Sequence, residues 1–459
     1  MTTSNPAPAH SVPLDSGASK LKRQLGLFDA TMVVMGGIVG SGIFINPYVV
    51  AQRVHTAGLI IAAWVAGGIL ALLGAFIYAE LADRMSAVGG QYAYLSAAYH
   101  PAVGFLYGWV LLLVIQTGGM ATVIVTFARY FLELTHMRAS EPLIGILALA
   151  LLTVINCAGV KVGSGVQSAL MVMKIAAIFG LIWIGFQFIH TPSAIGRPLL
   201  DRPPSSSLLA FGAAMIPVLF AYGGWQTANF LGGEIKEPRK NLSRALLIGV
   251  AGVVALYVGV NVVCVRALGP TGLAGTRAPA TAVMRLALGQ TGATWIAIAI
   301  TISTLGFLSQ SILTAPRVYF AMAEGGVFFP AVAYVSPKTR VPVVAIVLQS
   351  IWTAVIALSG RYEQILNYVV AMDFLFFGLT ATCLFVFRQR EQGAGLSERP
   401  GYRVPGHPVT TLVFIVVSWL VVINTIYQYP SNSLIGMGIL LLGLPAYWLW
   451  QQAKKETPA

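Results

Sequence analysis

Two glycine clusters and two isolated charges stand out in a chain of 459 residues of which only 9% are Asp, Glu, Lys or Arg. The first cluster, MGGIVGSGIF at 35–44, sets Gly36, Gly37, Gly40 and Gly42 inside an otherwise apolar segment. Each interior glycine weakens a helix by ~1 kcal/mol relative to alanine, so four together predict unwinding. The second cluster, LFAYGGWQ at 219–226, holds Gly223 and Gly224, and Pro217 shortly before them leaves a helix carbonyl without its donor. The charges are Lys174 and Asp373, each about ten residues into an apolar run.

Unwound backbone offers bare donors and acceptors. A half-helix starting at Ser41, Gly42 and Ile43 presents free N–H groups and the positive end of its dipole, which suit a carboxylate. The carbonyls of Ile38 and Val39 before the first break, and those of Phe220, Ala221 and Tyr222 before the second, accept hydrogen bonds from an ammonium. A small zwitterion satisfies both ends at once. Gly36 and Gly40 also fit the small-xxx-small spacing of plain helix packing, but a matching interruption in a second helix points to a site.

The elements that position these breaks are membrane spans. Hydrophobic residues make up 57% of the chain and the mean hydropathy is +0.79, too apolar for a water-soluble monomer. About 20 apolar residues cross a ~30 Å hydrocarbon layer as a helix. Apolar runs fall at about 28–52, 57–82, 101–131, 142–159, 163–189, 208–232, 243–266, 293–323, 341–359, 363–388, 409–429 and 432–451. The expected fold class is therefore an all-α integral membrane protein with twelve transmembrane helices. The breaks fall in runs one and six, which correspond if runs 1–5 and 6–10 form an inverted repeat. Irregular backbone at membrane depth is tolerated where it lines a cavity or is buried in protein.

The net charge of +13 is scattered through connections, so no nucleic-acid surface is expected. With the N terminus inside, 17 of the 28 basic residues fall on the cytoplasmic side and 9 on the other, Lys174 and Arg317 lying within spans. This bias places both termini in the cytoplasm. Residues 1–22 read as a disordered tail without a cleavable signal, 23–390 as a ten-helix core, and 391–459 as a loop, two further helices and a tail. Cys157, Cys264 and Cys383 lie inside apolar runs, which supports neither a disulfide framework nor a metal site, and no cofactor motif is present.

Together the segments MGGIVGSGIFINP (35–47), YAELADRMSAVGGQYAYL (78–95), LFAYGGWQTANFLGGEIKEPRKNLSRAL (219–246), TAPRVYFAMAEGG (314–326) and RPGYRVPGHPV (399–409) resemble the amino acid-polyamine-organocation transporters, and within them the L-type, sodium-independent exchangers. The resemblance covers nearly all of residues 23–450. It implies a five-plus-five inverted repeat of the LeuT type plus two helices, moving amino acids, neutral ones in the first instance, across the plasma or bacterial inner membrane by alternating access. Substrate carboxylate would sit on the Ser41, Gly42 and Ile43 amides, its amine on carbonyls around Ile38, Phe220, Ala221 and Gly223, with the Phe220 ring as a gate. The animal exchangers are tethered to a partner glycoprotein through a cysteine between spans three and four. Residues 131–141 contain none, so no disulfide-linked subunit is expected.

The resemblance also implies that Lys174 replaces a sodium ion linking the first and eighth spans, through backbone near Gly36 and a hydroxyl such as Ser309 or Ser311. The plainer alternative is snorkelling over roughly 16 Å to the interface. Asp373 departs from the family's usual neutral residue, and three roles fit it: a protonated acid, a partner for a cation, or a recogniser of a basic or polar substrate side chain. Gln226 is another departure, standing where the family more often shows Asn or, in acid-resistance relatives, Glu, and a neutral amide carries no proton, which weakens proton coupling there. Glu80, Arg317 and Arg129 read as interfacial ion pairs, and 234–244 as a solvated loop with a helix start after Pro238. Amino acid exchange is the leading function. A proton-coupled symporter, with cationic substrates among its candidates, is the alternative. An enzyme is disfavoured because no HExxH motif, phosphate loop or nucleophile–base pair is found.

Overall fold

The computed structural model describes residues 21–188, 207–359, 362–393 and 401–456. The tail 1–20 and four of the basic residues counted above, Arg197, Arg202, Arg361 and Arg399, lie outside them. The described chain is helical: α1 (Leu27–Ile38), α2 (Gly42–Val54), α3 (Ala57–Arg84), α4 (Gln91–Ala98), α5 (Pro101–Val110), α6 (Gln116–Thr135), α7 (Glu141–Cys157), α8 (Val160–Phe188), α9 (Ser207–Tyr222), α10 (Pro238–Ala274), α11 (Pro279–Thr314), α12 (Pro316–Glu324), α13 (Val343–Leu358), α14 (Tyr362–Gly393), α15 (Val409–Gln428) and α16 (Pro430–Glu456). Among the described residues ten stretches are long and apolar enough to cross a membrane. The other two expected spans are α7 and α13, apolar helices of 17 and 16 residues.

Local chemistry explains the ends. Thr56 caps α3 by accepting from the Leu59 amide at 3.3 Å, and proline opens α5, α10, α11 and α12, where a missing N–H costs nothing. Between α5 and α6, Leu111–Ile115 is a π-helical turn, in which the Thr117 hydroxyl bonds the Leu112 carbonyl at 2.6 Å. A single π turn of this kind often marks a functional segment, and no sequence signal announced it. Nor was α4 expected, since it falls in what read as a connection.

The bundle exposes large apolar side chains on its outside and buries polar ones within an apolar core. Leu151, Val154, Phe179, Trp183, Ile423 and Leu442 are exposed on outer helices, while Gln91, Gln116, Lys174, Asn229, Gln310 and Gln349 are buried. That inversion suits a hydrocarbon surround. At one end of the bundle, Glu80 receives Arg84 at 2.7 Å, Arg388 at 2.6 Å and the Val404 amide at 2.7 Å. Arg317 pairs with Glu234 through two contacts of 2.6 and 3.2 Å, both side chains being almost fully buried. Two expectations are corrected here. Arg317 does not reach an interface, and Glu234 is no part of a solvated loop, because the Gly232–Gly233 turn folds it back under α12. The helix start after Pro238 is as expected, and Arg129 pairs with Glu141 at 3.1 Å on the surface.

Candidate functional site

Both glycine clusters interrupt their helices. α1 closes with the Val39 amide on the Met35 carbonyl at 2.8 Å, Val39 turns extended, and α2 begins at Gly42. α9 ends at Tyr222, followed by Gly223 and Gly224 and a short 3-10 helix, Trp225–Phe230. The two breaks touch. Gly224 sits at φ 98°, and a Cβ there would lie 2.1 Å from the Gly37 carbonyl oxygen, while one on Gly37 would lie 2.5 Å from the Gly224 oxygen. Only glycine permits that backbone contact. Asn46 ties the same pair of elements by donating from α2 to the Pro217 carbonyl at 2.7 Å. A relay from Gln310 Nε2 to Thr227 Oγ1 (2.6 Å) and on to the Gly224 carbonyl (2.7 Å) fixes the second break.

A cavity of about 90 Å³ opens beside the breaks, well above the ~10–15 Å³ a single water needs. Of the residues singled out in the sequence, Ile38, Ser41, Gly42, Phe220, Ala221, Gly223, Gln226 and Asp373 line it. Helix geometry leaves the amides that open α2 without intrahelical acceptors and the last carbonyls of α9 without intrahelical donors, although the Phe220 carbonyl accepts the Gly223 amide at 3.2 Å and has one lone pair left to offer. Val39, Ile43 and Tyr222 do not line it. Ile43 and Val39 are wholly buried, and the Tyr222 ring packs against Trp64 and Tyr257 at 5.8 and 5.1 Å.

The carbonyls before the first break already hold protein donors. Tyr257 Oη donates to Ile38 O at 3.0 Å, Lys174 Nζ to Val39 O at 2.5 Å and Ser303 Oγ to Gly40 O at 3.4 Å. Lys174 thus ends inside the unwound segment rather than at an interface. Its acceptor is backbone three residues past Gly36, while beside Gly36 itself stands Gln167, two helical turns earlier on α8 and donating to the Met32 carbonyl at 3.3 Å. It does not meet Ser309 or Ser311, whose hydroxyls are buried without a partner. The α11 residue it crosses is Gly306, where a Cβ would fall 2.5 Å from Lys174 Cε and 3.0 Å from Nζ. Gly306→Ala is accordingly expected to push the ammonium off Val39 and slow transport about tenfold, the worth of one weakened charged hydrogen bond. Normal rates in vesicles would remove Gly306 from the link.

Sequence reasoning missed Gln116, Thr122, Thr227, Phe307 and Gln310 in the lining. The two glutamines carried a usable signal, a neutral amide inside an apolar span. The phenylalanine carried none.

The profile of the family described as "Amino acid permease" matches residues 25–443. The chain belongs to that family. The permease is 32% identical over 444 residues to the serine/threonine exchanger SteT of Bacillus subtilis, covering 95% of this chain and 98% of that protein. It is 29% identical over 455 residues to the human large neutral amino acids transporter small subunit 2, covering 96% and 83%. It is 28% identical over 448 residues to the mouse b(0,+)-type amino acid transporter 1, covering 96% and 90%. The family and these relatives are transporters rather than enzymes, and the permease is a multi-pass membrane protein that moves amino acids.

Proposed function

We propose that the permease exchanges amino acids across the plasma membrane, or a bacterial inner membrane, by sodium-independent alternating access. The observation that carries this is the pair of touching breaks beside a cavity in a chain of this family. The substrate carboxylate rests on the amides at Ser41, Gly42 and Ile43, and its ammonium on the carbonyls of Phe220, Ala221 and Gly223. Lys174 holds the first break to α8 where a bound cation would otherwise be needed, which is why no sodium is required. Neutral amino acids are within the range, since main-chain groups recognise the part common to all of them.

In this reading α7 and α13 also cross the membrane, giving twelve spans. Residues 23–390 form the inverted-repeat core, 391–459 the added part, and both termini are cytoplasmic. No covalently attached subunit takes part in this reading, since residues 131–141 offer no cysteine to tether one. The test is counterflow in proteoliposomes. Labelled leucine is expected to enter only when unlabelled amino acid is trapped inside, with or without sodium. Accumulation into empty vesicles under a pH gradient alone would replace exchange by proton symport.

A further inference from the structure

We infer that Asp373 extends the range of this transporter to amino acids whose side chain carries an amine or a guanidinium. The inference rests on the site proposed above and concerns the side chains that line the same cavity.

Asp373 is the one charged residue among those lining the cavity, and it makes no salt bridge with another described residue. The polar side chains that share the lining with it are neutral amides and hydroxyls. Lys174, the other charge singled out within the spans, is committed to Val39 and does not line the cavity. A second acceptor is unclaimed as well: Gln226 Oε1 is buried without a partner. A carboxylate taken out of water without a partner is costly, and a cationic ligand group removes that cost. A zwitterion with a neutral side chain leaves the cavity with the Asp373 charge uncompensated, whereas a cationic side chain brings the sum to zero.

Shape agrees with charge. On α14, Val369, Val370 and Phe377 are three and four residues from Asp373, so they share its face, and all line the cavity. Lysine and arginine have the matching form, an apolar stem with a charged tip. The stem lies along Val369, Val370 and Phe377, the tip reaches Asp373, and the aromatic wall adds a favourable face for a guanidinium.

Uptake of labelled leucine into vesicles, with lysine, arginine and norleucine as competitors, tests this. Norleucine keeps the lysine stem without its ammonium. Lysine and arginine are expected to inhibit the wild-type protein, and in Asp373→Asn the ratio of lysine to norleucine half-inhibitory concentrations is expected to rise at least tenfold. An unchanged ratio, or wild-type inhibition by norleucine but not by lysine or arginine, overturns the inference and leaves the transporter reading standing. If the variant does not insert, the melting temperature of the purified wild-type protein decides: stabilisation by lysine supports the inference, and stabilisation by norleucine alone overturns it. A wild-type protein neither transporting nor stabilised by any amino acid overturns the transporter reading and this inference together.

Discussion

Lys174→Ala is expected to slow exchange about a hundredfold while the protein still assembles. The side chain is 1% exposed, and its ammonium reaches the Val39 carbonyl at 2.5 Å in the middle of the first break. A charge-assisted hydrogen bond contributes about 1.5–3 kcal/mol, and a hundredfold change in rate corresponds to ~2.7 kcal/mol. Assembly has other supports. α1 still packs on α8, α10 and α11, Gln167 still donates to Met32, and removing a buried cation spares its desolvation. The loss should therefore appear in the initial rate per inserted molecule, with the melting temperature in detergent changing little. Unaltered uptake kinetics would discard the linking role; a protein that aggregates on extraction would make Lys174 a folding residue instead.

Gly42→Leu is expected to weaken substrate binding by more than a hundredfold. A Cβ at Gly42 already stands 3.2 Å from Ala221 Cβ and 3.3 Å from its Cα, so the neighbouring chain must give by a few tenths of an ångström. The remaining carbons then have only the cavity to enter, where they take space the substrate needs. They also cover the amides that open α2. Because the added bulk goes into empty space, the fold should survive, and Gly42→Ala should sit between leucine and wild type. Substrate-induced stabilisation of the purified variant is the readout, and normal affinity in Gly42→Leu would contradict the placement of the carboxylate.

The breaks were legible because glycine is scarce in stable helix interiors, and Gly36, Gly37, Gly40, Gly42, Gly223 and Gly224 say so without any tertiary knowledge. That the two breaks lie against each other was legible only as a family expectation, since the close approach of Gly37 to Gly224 joins residues nearly two hundred positions apart. Lys174 announced itself as an intramembrane charge, but its acceptor depends on how far α8 is rotated and advanced past α1, which sequence spacing does not encode. The same is true of the choice of Gly306 over Ser309 and Ser311. Asp373 was visible as an anomaly with three open roles; the cavity wall on its own helix face narrows them. The π turn at Leu111–Ile115 had no signature, because it depends on tertiary contacts as much as on the Thr117 hydroxyl.

The Arg317–Glu234 pair has a consequence for motion. Two opposite ions sealed from water hold each other strongly, and a half-open arrangement that strands one of them unsolvated costs more than either the shut or the fully wetted state. Parting them by degrees is therefore the expensive route. Separation is least costly where water reaches both partners in the same event.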